Sequence, residues 1–176
     1  MPLSHTIRAA GVHDALGIFE LIRGNPEALI GRPLGDITEN IDRFVVAEAD
    51  GRLVGCAAWN ILPEAGDPMR ASLEIRSVAV MKNWCGQGVG TELVEAIFRG
   101  AAGLGIRQAI VLTFAPGFFK HLGFCEVPKT TIMHKIYMGC MNCTRQADPF
   151  TCPEVAMIRP LAGAGNNSCQ HHEAAQ

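Results

Sequence analysis

Gly86, Gly88 and Gly90 alternate with Gln87 and Val89 in a loop that follows an apolar, β-branched stretch and opens a helical pattern. Such a loop carries little side-chain bulk, so a ligand can approach bare backbone amides. Beyond it Val89, Leu93, Ile97, Ala101 and Leu104 recur every three or four residues, which predicts one buried stripe of a helix. The first turn of that helix leaves about four N–H groups without intrahelical partners. Together with the aligned peptide dipoles, worth roughly half a positive charge, they form an anion site. A phosphate is the expected ligand. A Walker loop is excluded because no lysine follows Gly90, and a dinucleotide fingerprint because the spacing is GxGxG where GxGxxG is needed.

A second reactive group is Cys140, Cys143 and Cys152, spaced C-x2-C-x8-C. Thiolates so spaced hold zinc if a fourth ligand comes from His134, Cys125, Cys169 or His171. The same residues also read as reduced thiols packed in a C-terminal wrap, or as a redox-sensitive disulfide. Nothing routes the chain to an oxidising compartment, so all seven cysteines are expected to be reduced or metal-bound. Cys56, inside a strand pattern, is expected in the core.

The elements that must position these groups follow from periodicity. Residues 6–9 read as a first strand and an amphipathic helix starts near Asp14 and stops before Gly24-Asn25-Pro26. A short second helix is expected over 36–41. Strands over 44–49 and 53–62 flank Asp50-Gly51, a dipeptide that takes the positive φ values of a tight hairpin turn. A loop over 63–70 leads to the central strand, 73–80, and its glycine loop. Gly103 and Gly105 end the following helix, and a fifth strand over 108–112, a short helix ending at Gly123 and a strand near Phe124 complete the pattern. The order βααβββαβαβ predicts a mixed sheet with helices on both faces. From Ile158 onward periodicity is lost and a flexible tail is expected.

At 176 residues, 48% hydrophobic and net charge −2, the chain suits one domain with a sizeable core and gives no electrostatic case for nucleic acid. Neither a signal peptide nor a membrane span is expected, which places the protein in the cytoplasm.

The glycine loop resembles the signature [QR]xxGx[GA] at the end of the fourth strand in the GNAT superfamily of acyl-CoA N-acyltransferases. It aligns on residues 85–90, with Cys85 in place of the usual Gln or Arg. The stretches FVVAEADGRLVGCAAWNIL, LEIRSVAV, VLTFAPGFFKHLGF and HKIYMGCMNC narrow the resemblance to short, single-domain proteins similar to N-acetylglutamate synthase. The resemblance covers roughly residues 6–157. Met133 stands where a proline is expected before the His-Lys pair, and the spacer between Cys143 and Cys152 is longer than in the resembled proteins.

This resemblance implies an α/β (α+β) GNAT fold: a mixed, mostly antiparallel sheet with helices on both faces, splayed at the fourth and fifth strands. Its expected parts are an acetyltransferase domain over 1–138, a cysteine-containing extension over 139–157 and a tail over 158–176. It implies acetyl-CoA as co-substrate and acetyl transfer to the amino group of a small amino acid, glutamate above others, as in the first step towards arginine. Glu74 then matches the position of a general base. The backbone of Val78, Ala79 and Val80 would pair with the pantetheine amides, and Cys85, Gly86, Gln87, Gly88, Val89, Gly90 and Thr91 would hold the phosphates. Phe118 and Phe119 would pack against the pantetheine arm and the core, Phe119 standing where many members carry a tyrosine that serves the leaving thiolate. Arg32, Arg76 and Lys135 are the cations for a dicarboxylic acceptor. With a side-chain period of two, Glu74, Arg76 and Val78 share a strand face. Expected partners are a small-molecule amine acceptor and a second copy of the chain in a homodimer, without nucleic acid or membrane. The alternatives are another amine acceptor, or a non-catalytic acyl-CoA-binding or metal-responsive regulator.

Overall fold

The computed structural model describes residues 4–64, 67–141, 143 and 145–161. The chain forms two compact units, Met1–Asn60 with Ile75–Ala101, and Ile61–Glu74 with Ala102–Gln176. Among the described residues seven strands lie in the order β1-β2-β3-β4-β5-β7-β6, mixed in direction, with helices between them.

In the first unit β1 (Thr6–Ala9) pairs antiparallel with β2 (Phe44–Ala49), and β2 with β3 (Arg52–Glu64). Asp50 at φ 50° and Gly51 at φ 71° make the tight turn that the Asp-Gly pair predicts, closing the hairpin at Ala49 and Arg52. Helix α1 (Ala15–Arg23) buries Ala15, Ile18, Leu21 and Ile22. Helix α2 (Leu34–Glu39) begins two residues earlier than its sequence pattern suggests and adds Ile37. These side chains pack with Phe44, Val46, Cys56, Ala58 and Ala79. Each fully buried aliphatic or aromatic side chain contributes about 1.5–3 kcal/mol. Arg8 ties β1 to the turn before α1: its two terminal nitrogens donate to the Asp14 carboxylate at 2.7 and 2.8 Å, and one also donates to Glu48 at 2.6 Å. The guanidinium holds Asp14 down at a pKa of about 2.

Helix α3 (Val89–Ala101) buries Val89, Leu93, Val94, Ile97 and Ala101, the stripe that its spacing predicts. Leu104 departs from that stripe and is exposed, because the chain tightens into a 3-10 turn at Ala102–Leu104 and the angular step between residues changes.

The second unit holds the other half of β4 (Asp67–Val80), then β5 (Gln108–Thr113), α4 (Pro116–His121), β6 (Cys125–Glu126), α5 (Met133–Lys135) and β7 (Val155–Pro160). The expected loop over 63–70 is instead mostly strand, since β3 runs to Glu64 and β4 starts at Asp67. Parallel pairing of β4 with β5 covers only Ser72, Leu73 and Glu74 against Gln108, Ala109 and Ile110, although both strands continue further. The strands thus part beyond Glu74, the expected splay.

β7 corrects the expected start of the tail at Ile158. It lies between β5 and β6, antiparallel to both, with Ala156, Met157 and Ile158 buried. A strand covered on both faces shows an unbroken apolar run, so VAMI gives no alternation to detect. Residues 162–176 of the expected tail lie outside the described residues.

Candidate active site

Within the first unit, β4 ends in a glycine loop that opens α3. Its backbone leaves the extended conformation at Ser77, φ 53°, which interrupts the two-residue alternation expected to run from Glu74 through Arg76 to Val78. The Cys56 thiol donates to the Ser77 carbonyl at 3.6 Å, and burial pushes that thiol up to about 12. The N–H of Met81 donates to the Val54 carbonyl at 2.8 Å, closing the sheet just after Val78, Ala79 and Val80. A 3-10 turn, Lys82–Trp84, then seats Trp84 in the core, edge-on to His5 at 5.8 Å.

Cys85 is exposed and its thiol donates back to the Met81 carbonyl at 3.5 Å. Gly86 at φ 77° and Gly88 at φ 87° adopt left-handed backbone that favours glycine, and a side chain at Gly86 would meet nothing within 4 Å, so the loop is open. The Gln87 amide turns back to donate to the Asn83 carbonyl at 2.8 Å. A helical bond from Glu92 N–H to the Gly88 carbonyl, 3.0 Å, places the amides of Val89, Gly90 and Thr91 upstream of it, at the positive end of the helix dipole. This bare, amide-rich turn fits a pyrophosphate.

The helix that follows is seated closely. A Cβ on Gly55 of β3 would stand 3.1 Å from Leu93 Cδ1 and 3.2 Å from both the Ala79 carbonyl oxygen and Val89 Cγ1.

Arg32 is 8% exposed and gripped by Asp36, with Nε at 2.6 Å and Nη2 at 2.5 Å from the carboxylate. Its guanidinium also donates to Ser77 Oγ at 3.5 Å and lies over the Phe44 ring, 5.6 Å from its centroid. Arg76 is half-buried on β4.

Within the second unit Glu74, 3% exposed, faces Lys135 on α5, whose Nζ lies 2.5 Å from Glu74 Oε1. One residue earlier on α5, buried His134 approaches Ser72 Oγ at 3.0 Å through Nε2. Burial pushes His134 below the ordinary histidine range, an effect opposed by Glu64 and Glu74. Gln108 Nε2 in turn donates to Ser72 Oγ at 2.9 Å and to Glu64 Oε1 at 3.2 Å. Two contacts, His134 to Ser72 and Lys135 to Glu74, therefore pin α5 to alternate residues of one β4 face.

Sequence reasoning picked out Glu74 and Lys135 separately but missed their pairing, and it missed Ser72, Gln108 and Glu64 altogether. The spacing of Ser72 and Glu74 on one strand face was the available signal. Phe119 is 4% exposed and stacks edge-on with Phe118 and Phe124 at 4.9 and 5.3 Å.

Zinc is a correction: among the described residues no three His, Cys, Asp or Glu side chains converge to hold a metal ion. Cys140, Cys143 and Cys152 are free thiols, with Cys152 donating to Glu154 at 3.7 Å. Burial raises Cys140 and Glu154 above their usual ranges, and the Lys135 charge opposes both shifts. Cys125 is disulfide-bonded, which corrects the expectation that every cysteine is reduced or metal-bound and removes it as a fourth ligand.

A splayed mixed sheet, a glycine loop opening a helix at the end of β4 and a buried glutamate on that same strand define an acyl-CoA-dependent N-acetyltransferase. The chain belongs to the GNAT acetyltransferase family: residues 40–126 match the model described as "Acetyltransferase (GNAT) domain". An uncharacterized N-acetyltransferase of Chlorobaculum tepidum is 32% identical over 164 residues, 92% of this chain and all of that protein. An amino-acid acetyltransferase of Mycobacterium tuberculosis is 30% identical, over 74% of each chain. Among solved structures, N-acetylglutamate synthase from Neisseria gonorrhoeae, complexed with coenzyme A and N-acetyl-glutamate, superposes with TM-score 0.73 at 26% identity. That match covers 90% of this chain and 35% of the Neisseria chain. Among the described residues no helix is long and apolar enough to cross a membrane.

Proposed function

We propose that this protein transfers acetyl from acetyl-CoA to the α-amino group of a small amino acid, with L-glutamate the preferred acceptor, by direct attack in a ternary complex. The observation that carries this reading is the buried Glu74 carboxylate, matched to the Lys135 ammonium at 2.5 Å on the strand that ends in the glycine loop. The name of the Mycobacterium relative supports an amino-acid acceptor, and that of the Neisseria protein supports glutamate.

An amine with a pKa of ~10 is only ~0.1% unprotonated at pH 7, a penalty of ~4 kcal/mol. Glu74 relieves it by taking the proton, through a bridging water. The amides of Val89, Gly90 and Thr91 hold the pyrophosphate, helped by Cys85, Gly86, Gln87 and Gly88. The backbone of Val78, Ala79 and Val80 adds the pantetheine as an extra strand. Phe118 lines its arm, and Phe119 serves the core. Arg76 and Lys135 receive the acceptor carboxylates, while Arg32, already carrying Asp36, shapes the wall beside Ser77. A thiol of pKa ~8.5 is a fair leaving group, so a phenylalanine at position 119 is compatible with turnover.

Release of CoA from acetyl-CoA, measured with glutamate, with other amino acids and with no acceptor, tests the proposal. Selective turnover with glutamate is the expected result; equal or faster turnover with another amine would replace glutamate as the acceptor.

A further inference from the structure

The Lys135 side chain lies along a bare backbone. Gly139, four residues further on, belongs to the π-helical turn Ile136–Cys140 and is exposed. A Cβ built there would stand 2.5 Å from Lys135 Nζ, 3.4 Å from Cε and 3.6 Å from Cδ. The space that any side chain at 139 would take is the space the ammonium uses to reach Glu74, 2.5 Å away. The backbone does not ask for glycine here, since Gly139 is absent from the residues with positive φ. Glycine within a helical segment is destabilising relative to alanine. The residue thus weakens its own turn, and the visible gain is room for one ammonium. The turn itself is a π turn, a geometry that recurs at functional sites.

The charge around that ammonium explains why its placement matters. Glu74 faces it directly, and the charge of Lys135 also acts on Glu154 and Cys140. Glu154 also has Lys129 and Arg145 near it, whereas Glu74 meets the Lys135 ammonium in direct contact. Moving Nζ off Glu74 takes the counter-charge from the carboxylate read above as the base. Because the clash at 139 falls on the far end of a mobile side chain, the lysine would yield while the backbone stays.

We propose that Gly139 is a positioning residue that holds Lys135 on Glu74 and so fixes the charge presented to the acceptor. The inference rests on the reading of Glu74 as the base, and it concerns the acceptor half of the reaction, not acetyl-CoA binding.

A double-mutant cycle tests it, with Gly139→Ala, Lys135→Ala and the two combined. For Gly139→Ala, kcat/KM for the acceptor is expected to fall about tenfold, the scale of a charge-assisted hydrogen bond, with KM for acetyl-CoA unchanged. In the Lys135→Ala background the same change is expected to add nothing. Losses that multiply independently, or wild-type kinetics for Gly139→Ala, would overturn the proposal. Urea unfolding midpoints without substrate give a readout independent of activity: alanine at 139 should stabilise the Lys135→Ala protein more than the wild type, since only the wild type suffers the clash. Equal increments in both backgrounds would refute the placement. Lys135→Gln gives a second cycle should Lys135→Ala fail to fold. If no variant turns over glutamate while the unfolding cycle still couples, the acceptor is wrong and the role of Gly139 stands.

Discussion

Gly55→Ala probes how closely the loop helix is seated on the sheet. The added methyl would lie 3.1 Å from Leu93 Cδ1 and 3.2 Å from Val89 Cγ1, and both residues are fully buried, at 0% and 1% exposure. Leu93 has little room to rotate, and the third neighbour, the Ala79 carbonyl oxygen at 3.2 Å, is backbone. Inserting a methyl into such a site costs about 1–3 kcal/mol. For a chain of this size each kcal/mol lowers Tm by roughly 2–4 °C, so a drop of about 2–12 °C is expected by calorimetry. The damage should also be chemical. Val89 is the first residue of α3, and its amide is among those proposed to hold the pyrophosphate, so a lift of the helix would pull those donors away. Weaker acetyl-CoA binding, about tenfold for 1.4 kcal/mol, is expected by titration calorimetry. A variant with unchanged Tm and unchanged affinity would mean that the helix is not clamped on Gly55.

Further outcomes follow from other contacts. Glu74→Gln should lower kcat by about 10²–10⁴-fold and leave KM for acetyl-CoA unchanged; unaltered turnover from pH 6 to 9 would remove Glu74 as the base. Asp14, with its folded pKa near 2, lies below its unfolded value, so its contribution is present above about pH 4 and is lost as pH falls through 2. Asp14→Asn should therefore cost about 1–2 kcal/mol at pH 7, discounted for the part-exposed Arg8, and flatten the fall in stability between pH 4 and 2. An acid limb identical to that of the wild type in chemical denaturation would contradict this. Alkylation at pH 8 should modify exposed Cys85 well before Cys56, whose buried thiol is pushed up to about 12, and acetyl-CoA should protect Cys85. Mass mapping that finds Cys56 labelled first would refute the burial argument.

Much of the architecture could be read from local pattern. β1, α1, the Asp50-Gly51 hairpin and the α3 stripe each announce themselves through periodicity or turn chemistry, and the glycine loop through bare spacing. β7 could not be read, because a strand buried on both faces has no alternation. The polar ladder of Glu64, Gln108, Ser72 and His134 was equally silent, since it joins residues up to 62 positions apart in a hydrogen-bonded pair and no local rule links them. Lys135 was visible as a cation, whereas its pairing depends on where α5 lands against β4. Gly139 carried no signal at all; its role lies in what a missing side chain lets another one reach.

The position of β7 has a consequence for how the chain acquires its form. β5 pairs over six residues with a strand that begins 42 residues after β5 ends, and among the described residues β6 has no other strand to pair with. Until Val155–Pro160 has been made, β5 has an open edge and β6 has no place in the sheet. Closing such a long loop precedes the contacts that repay it, so this step is slow compared with the hairpin of β2 and β3. During synthesis the first unit can mature early, while β5, which pairs with Ser72–Glu74 of β4, waits for the last described strand before its sheet is complete.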